Sequence, residues 1–413
     1  MRALSPIAFT LAASLLPAQG VTWIVDQAGG PGSQFAEIAP AVAQAADGDT
    51  IVVRNGTYGG FATSKALTVL GEGSVVISDG PGIPTFPFAI EPTVEIHDLP
   101  AGAVFVAKNL RIEAHTFRDG LRLEDNQGRV HLQNVSSVLV SWPEQSGTGA
   151  WILRSSAVTW NGGQLHGRPC LSATDSLVSL ASMQINGSSA CGAGICSTIG
   201  ALEAIHARNS TLQLSRCDVS GGSGFGFTVV FPDGKPAIIA NDSALTVTGD
   251  DTTSIRAGGP GPGAITPIAA IQANGGTVDL DTLIVTLGSL GGADVSGTAT
   301  VNRRRIVSLA ALGGTLGGTL DAEVVSPPSD LVNLVLSLPI DPVALPPGLV
   351  FLDPRLIVPL YVGPQEPTGR VEVSVLIPTA TSLRGAAIAL QTANLYLPQS
   401  TVEFSNPAIV VID

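Results

Sequence analysis

Four ten-residue stretches decide the fold: LSATDSLVSL at residues 171–180, IHARNSTLQL at 205–214, IIANDSALTV at 238–247 and IQANGGTVDL at 271–280. In each stretch, apolar side chains occupy the first, third, eighth and tenth positions, and the ninth position is polar. Alternation with a period of two is typical of a strand that buries one face. Recurrence of the same short strand at long intervals indicates stacked coils.

The pattern extends to seven coils when each main strand is aligned on the turn residue before it. The anchors are Gly102, Gly128, Ser156, Ser176, Ser210, Ser243 and Gly276. Two and four residues later stand two apolar columns: Val104, Val130, Val158, Val178, Leu212, Leu245 and Val278, and Val106, Leu132, Trp160, Leu180, Leu214, Val247 and Leu280. The residue between them is expected to face water, and it is polar in six coils: His131, Thr159, Ser179, Gln213, Thr246 and Asp279. Five residues before the later anchors lies another column, also expected inside: Leu123, Trp151, Leu171, Ile205, Ile238 and Ile271.

A third apolar stripe follows the main strand and closes on glycine at 165–167, 185–187 and 219–221. Three stripes separated by turn residues predict an all-β chain wound into a three-sided parallel β-helix. Anchor spacings of 20 to 34 residues require excursions from the wall at 141–149, 187–200, 221–236 and 258–267. An antiparallel sandwich also alternates, but it does not predict the same phase at seven successive sites.

The chain begins with a segment typical of export. Arg2 precedes an apolar stretch at 7–16, and small residues follow at 17–20. This pattern predicts a secretory signal peptide over residues 1–20, with a buried N-terminal helix as the alternative. The β-helix is expected over residues 21–310. No transmembrane segment is expected, because no run reaches the ~18 uninterrupted apolar residues that a spanning helix needs.

Beyond about residue 320 the coil pattern stops and proline becomes frequent. Of the 29 prolines, 13 lie between Pro327 and Pro407. Short β-rich runs replace the coils at 331–338, 356–362, 371–377, 386–397 and 408–412. Strands punctuated by Pro and Gly predict a small β-sandwich over residues 320–413. Three roles remain open for this domain: it could cap the solenoid, anchor the protein or direct it for export.

The charge balance excludes one class of partner. A net charge of −13 and a pI near 4.7 leave no basic stripe to neutralise phosphates, so nucleic acid is not expected. Charged residues make up only 13% of the chain and hydrophobic residues 45%. These values fit a solenoid with an apolar interior and an outer face of Ser, Thr and Asn.

Four cysteines fall within adjacent coils: Cys170, Cys191, Cys196 and Cys217. In an exported chain, an even number clustered in this way favours two disulfides. Cys191 and Cys196 share one excursion, which leaves Cys170 to pair with Cys217, although all three pairings are open. A metal site is the rival interpretation, but the CxxC spacing and a His in the loop are missing, so no metal is expected.

The N-terminal stretch carries a series of residues found together in one superfamily. These are Phe35, Ile38, Pro40, Ala41, Val42 and Ala45, the run GDTIVV at 48–53, GTY at 56–58, Phe61 and LTVLG at 67–71. With the repeat, they make residues 22–310 resemble secreted right-handed parallel β-helix proteins of the pectin-lyase-like superfamily. The resemblance implies a short helix that begins at Pro40 and plugs the first coil, with Val42 and Ala45 facing the solenoid. The tail, with IALQ at 388–391 and Ser405-Asn406, resembles a C-terminal β domain of secreted bacterial proteins and implies no activity.

The superfamily resemblance implies enzymes acting on acidic polysaccharides, and also members without known chemistry. Hydrolysis of the polygalacturonase type uses an Asp-Asp pair, a third Asp and a Gly-His-Gly. Asp250 and Asp251 are the candidates for the pair, with a solvated turn as the alternative. The Gly-His-Gly is missing, and the nearest His-Gly is at 166–167 in an earlier coil.

Elimination of the pectate-lyase type needs Ca²⁺-binding carboxylates and a basic residue that removes a proton. Arg208, Arg216 and Arg256 lie near acidic residues in the sequence, but without the spacing of the motif. For Arg208, a turn role is the better interpretation. No cofactor is therefore expected, and Ca²⁺ would be required only if the protein were a lyase.

Aromatic side chains in the excursions are candidates for glycan binding: Trp142, Phe225, Phe227 and Phe231, with local loop packing as the alternative. We expect an exported, extracellular or cell-surface β-helix protein that serves as a noncatalytic structural or glycan-binding module. Its expected partners are polysaccharides or other cell-envelope components. A polysaccharide lyase or glycoside hydrolase with a non-standard active site on the β-helix wall is the alternative.

Overall fold

The computed structural model describes residues 20–78, 92–115, 118–140, 147–188, 201–224, 233–261, 264–328, 330–346, 348–397 and 400–413. The first part of the chain forms one 23-stranded parallel sheet wound into a right-handed β-helix. Its strands are β1 (Thr22–Val25), β2 (Thr50–Val53), β3 (Gly56–Tyr58), β4 (Phe61–Thr63), β5 (Thr68–Gly71), β6 (Val75–Ser78), β7 (Val94–His97), β8 (Val104–Ala114), β9 (Leu121–Glu124), β10 (Arg129–Leu139), β11 (Ala150–Leu153), β12 (Ala157–Gly167), β13 (Leu171–Thr174), β14 (Leu177–Gly187), β15 (Ile205–Arg208), β16 (Thr211–Ser215), β17 (Asp218–Ser220), β18 (Ile238–Thr248), β19 (Ser254–Arg256), β20 (Ile271–Asp281), β21 (Val285–Leu287), β22 (Val295–Gly297) and β23 (Thr300–Arg304).

Strand pairing divides the solenoid into three walls. The covered wall contains β1, β2, β5, β16, β23, the first halves of β8, β10, β12 and β14, and the second halves of β18 and β20. The third wall contains β3, β6, β17, β19, β21 and the second halves of β8, β10, β12 and β14. The open wall contains β4, β7, β9, β11, β13, β15, β22 and the first halves of β18 and β20. Residues with positive φ, such as Asn109 and Asn134, turn the long strands from one wall to the next.

The repeating apolar columns are confirmed as the core of the solenoid. Val178, Leu212, Leu245 and Val278 lie in register on successive coils and are 0–1% exposed. The columns differ from the expectation at three places: in the first coil, at Trp151, and at Leu123, which is buried but lies in register with Ile152 and Ala173 and not with Leu171. In the first coil, Phe105 and not Val104 lies in register with Val130, so the anchor at Gly102 was one residue early.

The second difference concerns Trp151, which points out of the solenoid. Ala150 and not Trp151 lies in register with Leu171, because one more residue separates β11 from β12 than separates β13 from β14. Since successive side chains of a strand alternate between faces, a shift of one residue moves a side chain from the core to the surface. Trp160, by contrast, is fully buried, and its indole N–H donates a 2.9 Å hydrogen bond to the backbone oxygen of Val135.

A short helix, α1 (Ile38–Gln44), covers the first coil of the solenoid. It begins two residues before the expected start at Pro40. Ile38, Ala41, Val42 and Ala45 are buried, as expected for Val42 and Ala45. The helix therefore shields the apolar interior at this end from water. No helix in the described ranges is long and apolar enough to cross a membrane.

The C-terminal part of the chain forms a small β-sandwich. Its strands are β24 (Ser308–Gly313), β25 (Thr319–Val325), β26 (Leu331–Ser337), β27 (Pro339–Leu345), β28 (Gly348–Leu352), β29 (Val358–Pro364), β30 (Arg370–Leu376), β31 (Ala387–Tyr396), β32 (Thr401–Phe404) and β33 (Ala408–Val411), with a 3-10 helix at Thr381–Leu383. β24, β25 and β30 form one antiparallel sheet, and β29, β26, β31, β32 and β33 form another. Both sheets contribute to a single apolar core that includes Leu320, Leu334 and Leu390.

The sandwich docks against the side of the solenoid and covers part of one wall. Lys108 donates a 2.7 Å hydrogen bond to the backbone oxygen of Val411, and Gln133 accepts one of 2.6 Å from the backbone N–H of the same residue. Asn161 donates to the backbone oxygen of Ala311 at 3.2 Å. Apolar contact between Val106 and Val411 completes this part of the interface.

Docking of the sandwich overturns one expectation about the outward side chains. His131, Thr159 and Ser179 lie on the outer face of the covered wall, as the alternation predicts, but they are only 2–5% exposed. The expectation that they face water is wrong, because the C-terminal domain lies over them. Burial lowers the pKa of His131 to about 3, so the imidazole is neutral near pH 7. Its Nδ1 lies 2.7 Å from the hydroxyl of Thr159.

The expected disulfide between Cys170 and Cys217 is also wrong. Both are free, buried thiols at different corners of the solenoid. Cys170 precedes open-wall β13 and donates to the backbone oxygen of Asn186, whereas Cys217 lies between covered-wall β16 and third-wall β17. Burial raises the pKa of each thiol to about 12. Cys191 and Cys196 lie outside the described residues, and their pairing with each other stays a prediction.

Candidate functional site

The open wall is the candidate functional surface, because the sandwich leaves it uncovered. Among the described residues, every hydrogen bond and ion pair between the two domains involves the other two walls or the turns between them. One row of outward side chains runs the length of the open wall in strict register: Ala62, Glu95, Arg122, Trp151, Ser172, His206, Ile239, Gln272 and Ser296. We refer to it as the outward row.

Trp151 lies near the middle of the outward row and is partly exposed. The guanidinium carbon of Arg122, on the preceding coil, lies 4.3 Å from the centroid of the indole ring. This is a cation–π contact, which fixes the orientation of both side chains. The residue in register on the following coil is Ser172, whose short side chain cannot cover an indole ring. This surface was not predicted from the sequence, because Trp151 was expected in the core.

Charged side chains surround the indole on the coils before it. Arg122 also lies 3.5 Å from a carboxylate oxygen of Glu124 and 4.0 Å from one of Glu95. The guanidinium of Arg154 holds Glu124 and Asp125, and its hydrogen bond keeps the pKa of Asp125 below the usual value. The positive and negative groups at this end of the open wall are therefore paired with each other.

A second polar group lies on the coils after Trp151. His206 follows Ser172 in the outward row, and its Nδ1 lies 3.0 Å from the Glu203 carboxylate. This hydrogen bond raises the pKa of His206. Although burial raises the pKa of Glu203, the contact with His206 keeps it below its usual value, so the carboxylate is charged at neutral pH. Arg208 ends the same strand with its side chain exposed, and no ion pair in the described part of the chain involves it.

Asp250 and Asp251 lie at the junction of the two domains and away from the outward row. Asp250 is buried and accepts from Arg216 at 3.1 Å and from Arg370 of the C-terminal domain at 3.4 Å. Burial raises the pKa of Asp250, but hydrogen bonds from Thr252 and the two guanidinium groups hold it below its usual value. Asp251 is exposed and lies 3.6 Å from the same Arg370. Both carboxylates are thus neighbours of an interdomain arginine.

Each expected excursion is flanked by a third-wall strand and the next open-wall strand: β10 and β11, β14 and β15, β17 and β18, and β19 and β20. The strands that flank the excursions therefore meet at a single corner, at the edge of the open wall. The candidate aromatic residues Trp142, Phe225, Phe227 and Phe231 lie outside the described residues, so their role in glycan binding stays a prediction. Across the described ranges, no group of three or more His, Cys, Asp or Glu side chains is arranged to hold a metal ion.

Comparison with known proteins gives distant structural likenesses. No protein-family model matches the chain, and no curated protein matches its sequence. The chain is similar to full-length tailspike protein 2 of Escherichia coli O157:H7 bacteriophage CAB120, at 10% identity and a TM-score of 0.28, over 88% of this chain and 59% of that one. It is also similar to a mutant tailspike protein of E. coli bacteriophage HK620, at 9% identity and a TM-score of 0.19, over 94% of this chain and 87% of that one. The strand register of this chain by itself defines the parallel β-helix.

Proposed function

We propose that this protein is an exported glycan-binding module that holds a sugar chain along its open wall, with Trp151 as the central contact. One observation carries the proposal: a Trp side chain stands in the outward row with Arg122 on one side and the small Ser172 on the other. Aromatic side chains with one apolar and accessible face are the usual anchors of binding sites. Export to the cell surface or medium is supported by the signal-like sequence of residues 1–20.

The shape of the wall favours an extended ligand. Successive coils present one outward side chain every ~4.8 Å, so a chain lying along the solenoid meets a new side chain at each coil. The polar members of the row that follow the indole directly, Ser172 and His206, supply further hydrogen-bonding groups. Because the charges near Trp151 are paired, stacking and hydrogen bonds should contribute more to affinity than net charge.

Replacing Trp151 with Ala is expected to abolish glycan binding. A Trp at the centre of a binding surface typically contributes at least ~2 kcal/mol, which corresponds to a loss of affinity of about 30-fold or more. The measurement is a glycan array with and without Ca²⁺, followed by titration calorimetry with the best ligand. Trp151→Phe should retain part of the affinity, because phenylalanine keeps an aromatic face.

Gln272→Ala is the matched control, since Gln272 belongs to the same outward row but lies four coils from Trp151. Its binding should stay within a few-fold of the parent protein. Circular dichroism should give the same β-sheet spectrum for all three variants. Full binding by a folded Trp151→Ala protein would show that the glycan, if any, binds elsewhere.

A further inference from the structure

A hydroxyl, an imidazole and a carboxylate follow one another at the open wall: those of Ser172, His206 and Glu203. Ser172 and His206 are in register on adjacent coils, so their side chains leave the sheet in the same direction about 4.8 Å apart. The Glu203 carboxylate lies 3.0 Å from Nδ1 of His206 and is itself buried. A neutral imidazole that donates Nδ1–H to a carboxylate presents an unprotonated Nε2 on its other side. Ser172 is partly exposed, and no hydrogen bond to a described residue engages its hydroxyl, so the hydroxyl is available to that nitrogen.

We propose that Ser172, His206 and Glu203 act as nucleophile, general base and orienting carboxylate for hydrolysis of ester groups carried by the bound glycan. Trp151 precedes Ser172 in the outward row, so a sugar ring on the indole brings its substituents beside the hydroxyl. Recognition of a glycan ester rests on the proposed function, whereas the hydrolytic chemistry is independent of it and is testable with a small ester. Glu203 is a positioning residue, because it acts through His206.

The reaction balances with water as the only co-reactant. Ser172 Oγ attacks the ester carbonyl carbon, and its proton passes to His206 Nε2. The bond between that carbon and the sugar oxygen breaks, and the sugar hydroxyl leaves with the proton from Nε2. Water then attacks the acyl-serine, gives a proton to Nε2 and releases the carboxylic acid and the free Ser172 hydroxyl.

Arg208 is placed to stabilise the negative charge that develops on the ester oxygen. It lies two residues after His206 on β15, so both side chains project from the same face of the strand. Its guanidinium is close enough to oppose protonation of the imidazole, which keeps more of the base in its reactive, neutral form. A fixed positive charge beside the reacting centre stabilises the transition state more than the neutral ester.

The test uses the full chain with p-nitrophenyl acetate and a fluorophosphonate probe. The parent protein should hydrolyse the ester, and mass spectrometry should locate one phosphonate adduct on Ser172. Ser172→Ala should lower kcat/KM by about 10³-fold and abolish labelling, and His206→Ala should have a similar effect. Alkylation of Ser172→Cys by iodoacetamide should show that position 172 is accessible, and circular dichroism should show that each variant is folded. Ser296→Ala, in the same outward row, should leave the rate unchanged.

Glu203→Gln tests the positioning role of Glu203 through the pH dependence of the rate of ester hydrolysis. Since His206 must be neutral to act as a base, the rate should rise with pH through a pKa above the ordinary value near 6.5. The other charged groups here are Arg208, which opposes protonation of His206, and Lys235, which acts on Glu203. Loss of the Glu203 charge should move this rise to lower pH and reduce the maximal rate.

The outcomes separate this proposal from the glycan-binding proposal. Hydrolysis above background that disappears in Ser172→Ala supports the ester chemistry even if the glycan array shows no ligand. A folded parent protein that neither hydrolyses the ester nor reacts with the probe overturns it, and leaves Glu203 and His206 as a structural ion pair. In that case binding that depends on Trp151 still supports the proposed function.

Discussion

Acidification from pH 7 to pH 4 is expected to lower the free energy of unfolding by about 3 kcal/mol through His131 alone. Burial under the C-terminal domain, with an additional effect of Arg129, lowers the pKa of this imidazole to about 3, whereas the unfolded chain has the ordinary value near 6.5. Between these values the unfolded state binds a proton that the folded state excludes. The stabilisation is therefore complete above pH 6.5 and is lost as the pH falls toward 3, at about 1.4 kcal/mol per unit.

Urea unfolding of the parent protein and of His131→Gln at several pH values measures this contribution. Glutamine is neutral at every pH, so the variant should lose less stability than the parent between pH 6.5 and pH 4. His97→Gln is the control, because His97 lies on the open wall and more than a third of its side chain is exposed. Parallel stability curves for the parent and His131→Gln would mean that His131 is not buried in its neutral form.

The solenoid could be predicted from sequence because its signal is local and repeated. Val178, Leu212, Leu245 and Val278 recur at a constant offset from a turn, and the in-register stacking of coils follows from that offset alone. The first coil was placed one residue early because the outward Val106 is itself apolar, so the alternation disappears there. Val106 is apolar because it packs against Val411, a contact between residues about 300 positions apart.

The site was harder to predict for two physical reasons. Trp151 was assigned to the core because its position was counted back from Ser156 across a turn that is one residue longer than in the following coil, which shifts the count to the opposite face of the strand. The covering of one wall by the C-terminal domain depends on pairs such as Gln133 with Val411, which carry no local signal in the sequence. From the sequence pattern alone, each of the three walls could be the exposed one, so the wall that carries Ser172 and His206 could not be identified.

The other large effect is expected for Trp160→Ala, which should lower the free energy of unfolding by about 3–5 kcal/mol. The indole is fully buried in an inward column, between Leu132 and Leu180 of the neighbouring coils. Its removal leaves a cavity and also an unpaired backbone oxygen at Val135, which now accepts from the indole N–H. Chemical denaturation gives the size of the loss.

The distribution of the lost stability over the strands should be as informative as the total loss in the free energy of unfolding. In a solenoid each coil contacts only its neighbours, so a cavity in one coil should weaken β10, β12 and β14 more than the distant β1 or β20. The docked sandwich couples these coils to the C-terminal domain, because β33 contacts both β10 and β12. Hydrogen exchange should therefore show lost protection that spreads from the coil of Trp160 into β33. Trp160→Phe is the matched control, which keeps most of the volume and should lose clearly less. A uniform loss over all coils would instead mean that the solenoid and sandwich unfold as one cooperative unit.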